Sequence, residues 1–212
     1  YGRYFDSHKY GLTLEKSEEV LGNNKHPLNG FRATWAYPLY GNDDYRNFPK
    51  YEEYFKYTNI SAGNGYPYDM AVLISYDEVF LNRLEAYLMK GEKAKFLTDL
   101  VLFLKKKTMQ EIPDSFVLSE ADMNTIYQNK GAEFAPVYTL STQQREWLQA
   151  VADIRRAAFL FEGIRWIDNK RLGMKVVHVK AGQTMELTKD DPRRELQIPE
   201  DAISNGITAN PR

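Results

Sequence analysis

The residues that could catalyse a reaction are mainly adjacent acids in turn-like segments. They occur at Asp43-Asp44, Glu52-Glu53 and Asp190-Asp191. Glycoside hydrolysis needs two carboxyl groups about 5–10 Å apart on either side of the scissile bond, and nothing in the sequence marks such a pair. A calcium ion held by Asp43 and Asp44 is a further hypothesis, although the EF-hand pattern is absent. We interpret all these acids as solvated turn residues.

Other catalytic and metal-binding chemistry has less support. The three histidines, His8, His26 and His178, lie far apart in the sequence, and no two have the spacing of metal ligands. The chain contains no cysteine, so disulfides and thiolate ligands are excluded. It also lacks a Gly-rich phosphate loop, a nucleophile elbow and a His-Glu-x-x-His motif. We therefore expect no catalysis, no cofactor and no metal.

A group of charged residues recurs at a spacing of three near the end of a helical segment. Its members are Glu162, Arg165, Asp168 and Arg171. On a helix such residues are neighbours and can form a ladder of ion pairs. The group is either a binding cluster or a network that fixes the helix end against a neighbouring strand or loop. We favour the structural network, whose importance would lie chiefly in geometry.

Composition and length set the class of protein. The chain has 212 residues, of which 43% are hydrophobic and 27% charged, as in ordinary globular proteins. Its net charge of −1 gives no sign of a nucleic-acid partner. It has no run of about eighteen apolar residues that could span a membrane. Because it begins at Tyr1 rather than Met, we expect a piece of a longer protein.

The chain divides into three segments. Residues 1–74 hold more than half of the aromatic residues and much Gly, Pro and Asn, which predicts a loop-rich segment with short strands or single helical turns. Residues 75–173 form a helical scaffold. Residues 174–212 form a small β-hairpin, with strands at 175–180 and 184–188, followed by an extended tail in which Pro199 and Pro211 prevent helix.

Capping signals define the helices of the middle segment. Ser75 begins a helix that Gly91 ends, and a second helix follows to about residue 107, which together predict an αα-hairpin. Ser119 opens a shorter helix to about residue 129. Ser141 opens a helix that can run to about Asp168, roughly 40 Å at 1.5 Å per residue. Two apolar stripes predict that this long helix is covered on more than one side.

Four stretches, in matching order and spacing over residues 75–212, resemble the C-terminal half of a SusD/RagB-family protein. They are LNRLEAYL at 81–88 with Gly91; DL at 99–100; RR at 155–156 with FEGIRW at 161–166, Asp168 and RLG at 171–173; and LQIP at 196–199 with NGITANP at 205–211. The chain departs from the family pattern at five positions, Val101, Ile154, Ala158, Asn169 and Gln197. Ile154 and Ala158 stand where the family usually has Glu, which thins the charged network.

The resemblance implies both a fold and a function. The fold is mainly α, built of tetratricopeptide-like helical hairpins with long irregular loops and a small β-hairpin, and the whole chain is one SusD-like C-terminal domain without its N-terminal half. The function is non-catalytic binding of a nutrient, typically an oligosaccharide, by a lipoprotein at the outer-membrane surface of Bacteroidetes. The implied partner is a SusC-like TonB-dependent transporter, and the lipid anchor lies outside this chain.

Family glycan sites lie largely on loops, so the ligand-binding candidates come from the loop-rich segment. They are Trp35, Tyr37, Tyr40 and Tyr45, with Asn42, Asp43 and Asp44 beside them. Aromatic faces match the apolar faces of sugar rings, and nearby amides and charges match the hydroxyl groups. Alternatively these rings only cover the helices. The competing functions are a helical protein–protein interaction scaffold without sugar binding and, less favoured, a glycoside hydrolase.

Overall fold

The computed structural model describes residues 12–21, 40–41, 46–47, 52–70, 72–108, 111–180 and 182–211. Within these ranges the protein is mainly α, with three separate antiparallel sheets of two strands each. The α-helices are α1 (Leu14–Leu21), α2 (Tyr76–Met89), α3 (Lys93–Lys107), α4 (Glu120–Tyr127), α5 (Thr142–Ala158), α6 (Ile164–Arg171) and α7 (Glu200–Ser204). The strands are β1 (Tyr40–Gly41), β2 (Arg46–Asn47), β3 (Glu52–Asn59), β4 (Asn64–Met70), β5 (Val176–Lys180) and β6 (Gln183–Leu187). None of the helices in these ranges has the length and apolar composition needed to cross a bilayer.

Helices α2 and α3 form the predicted αα-hairpin. The Ser75 hydroxyl accepts a hydrogen bond from the Glu78 N–H at 3.1 Å, which begins α2. After α2, Gly91 adopts a φ of +72°, and the Glu92 N–H donates to the Tyr87 carbonyl at 2.9 Å. This pattern is a Schellman motif, in which a left-handed glycine satisfies the last carbonyls of a helix. The predicted helix start and the glycine stop are both confirmed.

Helices α4 and α5 begin with complete capping boxes, at Ser119 with Asp122 and at Ser141 with Gln144. The prediction that the second of these helices runs unbroken to Asp168 is wrong. Helix α5 ends at Ala158, and the chain turns through left-handed residues Phe161 (φ +66°) and Gly163 (φ +78°) before α6 begins. The apolar stripe continues across this turn, so spacing alone predicted one helix.

The core lies between helices α2, α3 and α5. Trp147 is fully buried, and its ring stacks on Phe96 with centroids 5.4 Å apart, while its indole N–H donates to Asn124 Oδ1 at 2.9 Å. The apolar faces of α2 and α3 are buried at Phe80, Leu81, Leu84, Leu88, Leu97, Leu100, Val101 and Leu104. Buried residues of these helices thus form one hydrophobic cluster.

The sheets differ from the prediction in two respects. The predicted hairpin near residue 180 forms as β5 and β6, but Gln183 pairs with Lys180 in the ladder rather than lying in the turn. The loop-rich segment 1–74 contains helix α1 and a long hairpin of β3 and β4, with eight and seven residues, which the sequence did not indicate. Aromatic rings stand on both faces of this hairpin and hide the alternation that marks a half-buried strand.

The C-terminal tail is not wholly extended, contrary to the prediction. Pro192 opens a short 3-10 helix (Pro192–Arg194), and Pro199 stands at the N-cap of α7. Proline is tolerated in the first turn of a helix because the N–H it lacks would have no helical partner there. These two prolines therefore begin short helices.

Candidate functional site

A charged network built around Asp168 joins α5 to α6 across the turn that separates them. One carboxylate oxygen of Asp168 accepts from Arg155 Nε at 2.9 Å, and the other accepts from Arg171 Nε at 2.8 Å. The side chains of Asp168 and Arg155 are only 2% and 6% exposed. A buried carboxylate that bridges two guanidinium groups is compensated on both oxygens. We call Arg155, Asp168 and Arg171, with the two partners described next, the Asp168 network.

The Asp168 network continues into α2. Arg155 Nη1 donates to Asn82 Oδ1 at 2.8 Å, and Arg171 binds Glu85 with both Nη atoms, Nη2 at 2.8 Å. Burial lowers the pKa of Arg171, but the hydrogen bonds and charges of Glu85 and Asp168 outweigh it and raise that pKa above its ordinary value. The network therefore clamps three helices together through paired side chains.

The predicted charged group is only partly the observed one. The pair of Asp168 and Arg171 forms as predicted. Among the residues that the structure describes, Arg165 forms no ion pair with Asp168, and its Nη1 donates instead to the Ala152 carbonyl at 3.3 Å. Burial and the nearby charge of Arg156 lower the pKa of Arg165. Glu162 is exposed in the turn between the helices.

Three members of the network were missed by the helical spacing rule, namely Arg155, Asn82 and Glu85. They lie 13 to 86 residues from their partners, so a rule for neighbours on one helix could not find them. All three nevertheless stand in the stretches that resemble the SusD/RagB family. The resemblance was the available signal, although it did not say which side chains meet.

The remaining similar stretches also bind one another. Arg83 of the first stretch pairs with Asp99 of the second at 2.8 Å. In the tail, Gln197 Oε1 accepts from the Asn210 N–H at 2.8 Å, and Gln197 Nε2 donates to the Asn210 carbonyl at 3.1 Å. A side-chain amide that binds a distant backbone N–H and C=O closes the tail into a loop. The residues of all four stretches thus hold the scaffold together.

Buried Arg194 anchors the tail to the rest of the scaffold, a role that no sequence motif indicated. Its guanidinium donates to the carbonyls of Met174, Thr188 and Asn169 at 2.8, 3.1 and 2.8 Å. It also lies over the Trp166 ring, 5.7 Å from the centroid. Its positive charge complements three carbonyl dipoles.

The four predicted ligand-binding rings fall mostly outside the described residues. Trp35, Tyr37 and Tyr45 lie outside them altogether. Tyr40 opens β1 and pairs with Asn47 of β2, and its side chain lies outside the described part. Their role in binding therefore stays a prediction.

The hairpin of β3 and β4 carries exposed aromatic side chains that the candidate list did not include. They are Tyr54, Phe55, Tyr57, Tyr66 and Tyr68, each between 43% and 62% exposed. The ladder opposes Tyr54 to Tyr68 and Lys56 to Tyr66, which places these four side chains on one face of the hairpin. The Tyr54 and Tyr68 rings stack with centroids 5.5 Å apart and planes 19° apart. We call these four side chains the tyrosine face.

An open depression of about 570 Å³ lies beside the Asp168 network. Its walls include the apolar side chains of Met89, Ile164 and Ile167, with Tyr138 among the lining residues. Burial raises the pKa of Tyr138, and the charge of Glu85 adds to this shift. Four of the charged residues that line the depression, Glu85, Arg155, Asp168 and Arg171, are paired members of the network, and Glu78 is the fifth.

The adjacent acids of the sequence have different surroundings in the structure. Asp191 caps the 3-10 helix by accepting from the Arg193 N–H at 2.9 Å. Hydrogen bonds from the Arg193 side chain and backbone lower the pKa of Asp191 to about 2. Asp43 and Asp44 lie outside the described residues, as do the side chains of Glu52 and Glu53. In the part of the chain that is described, no three His, Asp or Glu side chains are grouped closely enough to hold a metal ion.

Asp153 is a further titratable group in the helical scaffold. Burial raises the pKa of its carboxyl, even though Gln149 Nε2 donates to it at 2.7 Å and Arg165 lies nearby.

No protein-family model matches the chain, and no curated protein matches it. The likeness to the SusD/RagB family therefore rests on the four stretches themselves.

Proposed function

We propose that this chain is part of a non-catalytic nutrient-binding protein of the SusD/RagB type. It binds oligosaccharides at the outer-membrane surface and passes them to a SusC-like TonB-dependent transporter. The finer fold belongs to the same proposal: α2 and α3 are one of its tetratricopeptide-like hairpins, and the chain is a SusD-like C-terminal domain. A lipid anchor outside this chain holds the protein at the membrane.

One observation carries the proposal. Residues of the similar stretches pair with one another, Arg83 with Asp99 and Glu85 with Arg171, even where they line the open depression. Residues that pair with one another in this way stabilise the fold, and one fold can be shared by proteins that bind different ligands. This supports a receptor whose recurring residues are structural.

The binding residues are then expected outside those stretches, in the aromatic segment before Ser75. Sugar rings present flat apolar C–H faces and a rim of hydroxyl groups. Tyrosine and tryptophan match both, because each combines an apolar ring with a polar group. Trp35, Tyr37, Tyr40 and Tyr45 are the candidates from the sequence, and the exposed rings of the β3 and β4 hairpin add to them.

Titration of the protein with a panel of oligosaccharides tests the proposal. Saturable binding of at least one sugar, which is then recovered intact, is the expected result. Recovery of shortened sugar would instead favour glycoside hydrolysis. Absence of binding across the panel would reject the proposal.

A protein–protein interaction scaffold is the second candidate, and one observation favours it. Val72, Leu73 and Ile74 precede α2 and are 68–90% exposed, and Tyr76 and Val79 extend this apolar surface. Contiguous apolar surface of this kind commonly marks a contact with another protein. If Leu73→Asp abolished capture of a transporter while sugars failed to bind, the scaffold would be the better account.

A further inference from the structure

The tyrosine face combines aromatic surface with one cation. Tyr54 and Tyr68 give one ring face to each other, whereas Tyr66 is 62% exposed and stacks on no other ring of the described residues. Lys56 stands directly opposite Tyr66 in the ladder. Opposed residues of an antiparallel pair have Cβ atoms about 4.5–5.5 Å apart. One small ligand can therefore touch the Tyr66 ring and the Lys56 ammonium together.

Charge makes this face distinct from an ordinary aromatic platform. Among the described residues Lys56 forms no ion pair, in contrast to Lys175, just before β5, which pairs with Glu186 of β6 at 2.9 Å. An exposed ammonium group beside three phenols attracts a ligand that carries an anion close to a flat apolar surface. A sugar ring with a carboxylate substituent has this arrangement.

We propose that the tyrosine face binds acidic oligosaccharides. One sugar ring stacks on Tyr66, its carboxylate pairs with Lys56, and the stacked pair of Tyr54 and Tyr68 flanks the neighbouring sugar. This inference rests on the proposed function, to which it adds a place and a ligand class. The phenol groups supply further hydrogen bonds to sugar hydroxyls.

The opposite face of the same hairpin provides a matched control. Phe55 and Tyr57 meet edge to face there, with centroids 5.0 Å apart. The absence of a side chain at Gly65 leaves space for the Phe55 ring, because a Cβ at that position would lie 2.7 Å from a ring atom. These rings pack on each other and on the backbone. Tyr57 is therefore an exposed aromatic residue on the other face from Lys56, and we expect it to have no role in the binding of acidic sugars.

The experiment compares two probes on the full chain by calorimetric titration: short oligogalacturonates and the same oligomers fully methyl-esterified. The acidic form should bind more tightly, and its affinity should fall with added salt. Lys56→Gln and Tyr66→Ala should each weaken the binding of the acidic oligomer by about 10-fold, which corresponds to about 1.4 kcal/mol. The first removes the cation that pairs with the carboxylate, and the second removes the ring on which the sugar stacks. Tyr66→Phe should keep most of the affinity, and Tyr57→Ala all of it.

Three outcomes would overturn the inference: equal affinity for both probes, no effect of Lys56→Gln, or equal loss in Tyr57→Ala and Tyr66→Ala. The first of these outcomes, together with saturable binding of a neutral sugar, would reject the tyrosine face while the proposed function stands. Failure of every sugar in the panel would reject both. Thermal unfolding of each variant shows that it is folded, which the exposure of the three substituted side chains leads us to expect.

Discussion

Asp168→Ala should strongly destabilise the protein. The Asp168 carboxylate is 2% exposed and accepts hydrogen bonds from both Arg155 and Arg171. Its removal leaves the Arg155 guanidinium, 6% exposed, without its charged partner. Breaking a buried ion pair in this way costs about 3–5 kcal/mol. Arg171 is one-third exposed and keeps Glu85, so the lower end of that range applies.

The expected loss in the free energy of unfolding is therefore about 3 kcal/mol, and the melting temperature should fall by about 6–12 °C. Urea unfolding followed by circular dichroism measures the free energy, and differential scanning calorimetry measures the melting temperature. The control is Glu186→Ala, which removes an exposed pair with Lys175 and should change stability by less than about 0.5 kcal/mol.

A double variant tests whether the loss comes from the unpaired Arg155 charge. Replacing both partners, as in Arg155→Met with Asp168→Leu, removes the unpaired charge and should recover much of the lost stability. The account would be refuted by an Asp168→Ala variant that loses less than about 1 kcal/mol. It would also be refuted by a variant that stays fully stable but no longer binds sugar, because Asp168 would then belong to a binding site.

Three other perturbations have expected outcomes. Asp153→Asn should stabilise the protein at neutral pH. Burial raises the folded pKa of Asp153 above 3.8, so the buried carboxylate destabilises the folded state once it ionises. This destabilisation grows as the pH rises from the unfolded pKa to the folded pKa. Urea midpoints should therefore show the gain at pH 7 and none well below pH 3.8. Gly173→Ala should lower the free energy of unfolding by more than about 2 kcal/mol, because φ is +63° and the new Cβ would lie 2.5 Å from a carbonyl oxygen. Gly91→Ala, which is in open space at φ +72°, should lower it by only about 1 kcal/mol. Equal losses in the two variants would contradict the packing argument. Trp35→Ala should weaken sugar binding without shifting the unfolding midpoint, and unchanged affinity would reject that assignment.

Local signals predicted most of the helical scaffold. The caps at Ser75, Ser119 and Ser141 are hydrogen bonds between residues three apart, so the sequence contains their whole geometry. The break after Ala158 was missed because the apolar stripe continues across it. Its left-handed turn includes Phe161, a residue type that gives no warning of that conformation.

Contacts between distant segments could not be predicted in the same way. Asp168 and Arg171 are three residues apart and were paired correctly, but Glu85 lies 86 residues from Arg171. That second contact exists only because the fold brings the side chains of α2 and α6 within reach of each other. The β3 and β4 hairpin was missed for another reason, since exposed aromatic rings on both faces leave no alternation of apolar and polar residues.

The central claim is that this chain binds oligosaccharides without altering them. The most direct measurement is calorimetric titration with a panel of neutral and acidic oligosaccharides, with chromatography of the sugar after overnight incubation. Saturable binding of at least one sugar and its recovery at full length are the expected results. No heat of binding for any sugar, or recovery of cleaved products, would contradict it.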